Sequence, residues 1–186
     1  MADTSVAPKA QPYSGRAKIL HWSMAVLVLL MLLGGSQMPG GTGQEKVDAT
    51  MMHTGFGLIL AAVSLAAFVN RLRHAPPALP DSIAKFQRVV SVWTHRALYL
   101  LIALQVIAGI GIAATAPYVV RSFGILPLSS LAADDIHIYR AFKETHEMVA
   151  FALLVLAGAH IAAALYHHFI AKDIVLRRMW PAAKLP

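Results

Sequence analysis

Residues 148–171 read MVAFALLVLAGAHIAAALYHHFIA, twenty-four positions without an Asp, Glu, Lys or Arg and with three histidines as the most polar side chains. At about 1.5 Å per residue the run makes a helix of roughly 36 Å, enough to cross a hydrocarbon core of about 30 Å. Three further charge-free runs cover 19–44, 49–70 and 97–120. Hydrophobic residues make up 58% of the chain and charged ones 13%, a balance that excludes an average soluble domain and fits one compact membrane bundle. The sequence therefore predicts an all-α, integral membrane four-helix bundle, a single domain over 1–186 with spans at about 17–37, 50–71, 92–115 and 143–170. The polar segment 1–14 precedes an apolar run too long for a signal-peptide core, so the first span is expected to be retained.

Twelve of the sixteen Lys and Arg lie before span one, between spans two and three, or after span four. The positive-inside bias then places both termini in the cytoplasm of a bacterial inner membrane, and it accounts for the net charge of +7 without a nucleic-acid partner. The chain has no cysteine, which removes disulfides, iron–sulfur clusters and covalently attached c-type haem. The Gly-rich stretch 34–43 reads as an external loop, and Pro76, Pro77 and Pro80 mark a cytoplasmic connection. In the long external loop 117–142, Asp134 and Asp135 look like helix-starting residues ahead of a short interfacial helix at 136–139. The basic tail 172–186 is expected along the inner headgroups.

Nine histidines in so apolar a chain need partners, because a polar group at membrane depth is costly unless it binds something. His146 and His160 are fourteen residues apart, nearly on one helix face and separated by about 21 Å. Since span four descends from outside to inside, His146 can meet His53 in the outer half, while His21 can be reached by His160 or by His167 in the inner half. Two bis-histidine sites at two depths suit low-spin b-type haem buried between helices, with Gly55, Gly57, Gly109, Gly111 and Gly158 leaving room for a ring. Zinc competes for imidazole, yet a compact zinc site needs three or four ligands at one depth.

ILHW at 19–22, MHTG at 52–55, HRALYLL at 95–101, THE at 145–147, HIAAALYHH at 160–168 and KDIVLRRM at 172–179 together resemble the bacterial cytochrome b561 family, and within it the superoxide oxidase type. The resemblance implies two non-covalent haems b stacked across the bilayer, one on His21 and His160 and the other on His53 and His146. It associates His167 with a quinone site. His95 is a candidate for that site or for a haem propionate, and Arg16, Lys18, Arg71, Arg73 and Arg96 are candidate propionate partners. The activity it implies takes electrons from superoxide on the periplasmic side, releases oxygen and reduces ubiquinone. The competing readings are a quinol-oxidising cytochrome b subunit passing electrons to a periplasmic redox protein, and a haem-free, histidine-rich metal transporter.

Overall fold

In the computed structural model, residues 11–41, 43–79, 83–129, 131–132 and 135–182 are described. Their main elements are four long helices, α1 (Gly15–Ser36), α2 (Gln44–Arg73), α3 (Lys85–Thr115) and α4 (Ile136–Phe169). All four are long and apolar enough to cross a membrane. With 22 residues α1 spans with little to spare, whereas α2, α3 and α4, at 30, 31 and 34 residues, exceed the roughly 20 that a bilayer needs. The surplus is polar: α2 begins with Glu45, Lys46 and Asp48 before its apolar run, and α3 begins at Lys85. Helices thus outrun the apolar segments at both ends, where water rather than lipid surrounds them.

Helix starts follow local chemistry. The Ser14 hydroxyl accepts from the Ala17 amide and caps α1. The Asp135 carboxylate accepts from the His137 and Ile138 amides and caps α4, and those bonds hold its pKa below the usual carboxylate value. Residues 136–139 are therefore the first turn of α4 and not a separate interfacial helix, because a capped helix with no interrupting Pro or Gly simply continues. Asp134 and Pro80 lie outside the described residues.

The closest helix pairs are α3 with α4 and α1 with α2, with a lighter seam between α2 and α3. Val28, Leu60, Ile102 and Leu153, one from each long helix, form a buried layer at mid-bundle, flanked by Met24, Leu27, Met31, Leu32, Leu98 and Leu101. Large apolar side chains elsewhere, among them Leu30, Leu33, Leu100, Ile107 and Phe151, point outward, as lipid contact requires.

Each end of the bundle is closed differently. At one end a small antiparallel hairpin, β1 (Arg121–Ser122) and β2 (Leu126–Pro127), sits on α2. The Phe123 amide donates to the Met51 carbonyl at 3.0 Å, and its ring covers Gly55, where a Cβ would fall 2.5 Å from ring atoms. Phe123 adopts φ +49°, a left-handed conformation that costs an ordinary residue about 1 kcal/mol and is held by this seat. Beneath the hairpin, Ala113, Ala116, Val120 and Leu128 pack with Leu58 and Tyr139. Tyr118 hydrogen-bonds the Tyr139 hydroxyl, and burial together with that bond pushes the Tyr118 phenol up to about 12.

At the other, terminal end the tail turns back as α5 (Val175–Met179). Arg178 is 1% exposed; its guanidinium donates to the carbonyls of Gln11 and Pro77 at 2.9 and 2.8 Å and lies over the Tyr13 ring. Trp22 of α1 donates to the Met179 carbonyl and stacks edge-on with Trp180. Up to residue 182 the tail is a clasp joining the first segment, the α2–α3 connection and α1. A buried guanidinium with carbonyl acceptors within reach satisfies more donors there than it would on a flat surface.

Candidate functional site

Histidines from facing helices meet at two levels. Toward the hairpin end, His53 of α2 and His146 of α4 have ring centroids 6.2 Å apart. His146 Nδ1 faces the Gln105 carbonyl at 3.2 Å, a contact that turns Nε2 toward the pair, as backbone carbonyls do for metal-bound imidazoles. Toward the terminal end, His21 of α1 and His160 of α4 are 6.3 Å apart. His167, the alternative partner for His21, is bonded instead to Asp173.

The two levels share one repeat. On α4, Tyr139, His146, Leu153, His160 and His167 follow one another at seven-residue steps, each about 10 Å along the axis. Val28 is likewise seven residues beyond His21, and Leu60 seven beyond His53. The buried Val28–Leu60–Ile102–Leu153 layer therefore lies between the histidine levels.

The spacing fits two imidazoles that would share one metal ion. An imidazole nitrogen sits about 2.0 Å from a bound metal and roughly 1.1 Å from its own ring centre, so two rings on opposite sides of one ion have centroids about 6.2 Å apart. Among the described residues no three His, Cys, Asp or Glu side chains are placed to hold one metal ion together. Neither α1 with α4 nor α2 with α4 is among the closely packed pairs, although these are the pairs whose histidines meet. The rings thus meet across helix pairs whose backbones stay apart. Glycines edge that space: a Cβ at Gly35 would lie 3.4 Å from His53, and one at Gly109 3.2 Å from His146. Gly111 is occupied differently, by the Phe142 ring. The buried Ser64 hydroxyl and the Gln105 side-chain carbonyl have no hydrogen-bond partner, in an interior where orphaned polar atoms are costly.

His95 of α3 stands edge-on to His160 with centroids 5.1 Å apart, and its Nδ1 bonds the Ser91 carbonyl one turn back. Sequence reasoning put His95 at the mouth of span three without seeing this contact, which depends on the rotation of α3 against α4. Of the five proposed propionate partners, Lys18 is buried one turn before His21, while Arg16, Arg71, Arg73 and Arg96 are exposed. On the hairpin side Arg121 and Arg140 are exposed, and Lys143 is tied to Glu147 at 2.5 Å.

His167 ends α4 beside a turn. Lys172 adopts φ +52°, the Asp173 amide returns to the His167 carbonyl at 3.0 Å, and one Asp173 carboxylate oxygen bonds His167 Nδ1. The other accepts the Val175 amide at 2.9 Å, just ahead of α5. Asp173 was not singled out from the sequence; its signal was an acid six residues beyond His167, just outside the apolar run.

Residues 12–182 match the family model described as prokaryotic cytochrome b561. Among known proteins, the chain is 25% identical over 170 residues to cytochrome b561 homolog 1 of Escherichia coli strain K12, covering 89% of this chain and 94% of that protein. It is 28% identical to cytochrome b561 homolog 2 of the same organism, over 86% of each. It is 26% identical to the probable superoxide oxidase CybB of Yersinia pestis, over 87% of this chain and 92% of the other. With four membrane-length helices and nearly its whole length matched, the chain belongs to the prokaryotic cytochrome b561 family, multi-pass membrane electron-transfer proteins that hold haem b.

Proposed function

We propose that this protein oxidises superoxide at the hairpin end and passes the electrons through two haems b to ubiquinone at the terminal end. His53 and His146 hold one haem, His21 and His160 the other. The observation that carries this reading is the two histidine pairs, at 6.2 and 6.3 Å, set at two depths of one bundle. The relative named as a probable superoxide oxidase supports the choice of donor. The basic bias of the terminal-end segments supports a cytoplasmic location for that end, in a bacterial inner membrane.

The balance is simple. Two superoxide anions each lose one electron and leave as oxygen, while one ubiquinone gains two electrons and two protons. Bound haem supplies reversible one-electron chemistry that no side chain here offers. Arg121 and Arg140 attract a small anion to the hairpin end. The layer of Val28, Leu60, Ile102 and Leu153 keeps water out from between the two levels. Gln105 holds the His146 ring in place through its backbone carbonyl. His167, two turns beyond His160, faces the quinone and hands it a proton.

Stopped-flow spectroscopy of the purified holo-protein tests this directly. Superoxide should reduce the haems within the mixing experiment, and added short-chain ubiquinone should reoxidise them. Haems that superoxide leaves oxidised, but that ubiquinol reduces, would establish the reverse direction toward a periplasmic acceptor.

A further inference from the structure

We infer that Asp173 is the positioning residue for proton delivery to the quinone, acting through His167. The inference rests on the reading that His167 meets ubiquinone. One carboxylate oxygen bonds His167 Nδ1 and the other accepts the Val175 amide two residues on, so the acid is fixed at both ends. The left-handed turn at Lys172 and the bond from the Asp173 amide to the His167 carbonyl bring it back onto the ring. Both side chains are about 15% exposed, within reach of water at the terminal end yet shielded from bulk solvent.

With Nδ1–H held by Asp173, the only nitrogen left to face a ligand is Nε2, and the ring cannot flip without losing the bond. When the quinone takes up an electron, the Nε2–H bond breaks and its proton goes to the carbonyl oxygen. The imidazole is left neutral with Nδ1–H in place, and water at the terminal end reloads Nε2. The carboxylate holds the ring's orientation and balances its charge while loaded. Each quinone needs this cycle twice, matching two electrons with two protons.

Asp173→Asn tests it, because the amide keeps the shape and one acceptor oxygen, which can stay on the Val175 amide, while the charge and the second acceptor, facing the ring, are lost. Holo-protein in detergent is reduced with dithionite and mixed with short-chain ubiquinone, and haem reoxidation is followed in H2O and D2O. The proposal expects full haem content, a limiting rate down by roughly tenfold or more, an unchanged half-saturating quinone concentration, and a larger solvent isotope effect than wild type. His167→Gln should be slow as well, and the double variant no slower than His167→Gln alone.

A slow His167→Gln beside a wild-type Asp173→Asn overturns the role of Asp173 and leaves the quinone site standing. A His167→Gln that reoxidises at the wild-type rate sinks the quinone site itself. Additive losses in the double variant show that Asp173 acts elsewhere. Should Asp173→Asn lose haem, Asp173→Ser, which keeps a helix-capping oxygen, decides: loss of haem there too makes the residue purely structural and refutes the proposal.

Discussion

The four histidines of the two levels pair across helices at nearly one spacing, 6.2 and 6.3 Å, whereas His95 meets His160 at a shorter 5.1 Å. His53→Ala and His146→Ala are each expected to lower haem from two to about one per chain, sparing the component nearer the terminal end. His21→Ala and His160→Ala should do the opposite. Haem per polypeptide, with the spectrum of what remains, checks the pairing. If His146→Ala and His21→Ala deplete the same spectral component, the pairing is wrong. His95 adds a second expectation, since its ring stands edge-on to His160 and its Nδ1 is held by the Ser91 carbonyl: His95→Ala should keep both haems and shift only the spectrum of the terminal-end one.

Elements were readable from the sequence where chemistry repeats and obscure where it occurs once. Four spans stand out because a run of some twenty apolar residues without a charge is rarely stable anywhere but in lipid, and the depths of His21, His53, His146 and His160 follow from counting along those spans. The hairpin 121–127 gave no such signal: its strands are two residues long, and its turn puts a phenylalanine at φ +49°, a place where glycine is expected. What holds it is the notch at Gly55. Gly55→Leu is therefore expected to expel the Phe123 ring and loosen the hairpin, at a cost of about 1–3 kcal/mol. Faster tryptic cleavage at Arg121 in membranes opened on the hairpin side measures that, and wild-type cleavage would show that the seat is unimportant. The clasp at α5 was hidden for another reason. From the sequence, Arg178 looks like one more basic residue flanking a span, and only the fold shows it 1% exposed with two carbonyls as partners. Arg178→Met should release the tail and lower stability by roughly 2–3 kcal/mol, the loss of hydrogen bonds from a charged donor. Unfolding monitored by Trp22 and Trp180 fluorescence reads both effects.

At the scale of the molecule, the helices that carry paired histidines are the ones that do not pack closely against each other, while α3 with α4 and α1 with α2 close the bundle around them. The two tight helix pairs meet along the α2–α3 seam and through the layer of Val28, Leu60, Ile102 and Leu153, while α1 and α2 stay apart from α4. Bound rings would supply apolar contact across those gaps, so stability and cofactor content should rise and fall together. The pyridine haemochrome of freshly purified protein, set against its polypeptide concentration, puts this arrangement to its plainest test. Two haems b per chain, with two components separable in a reductive titration, is the predicted result; one haem per chain, or none in protein that remains folded, would contradict it.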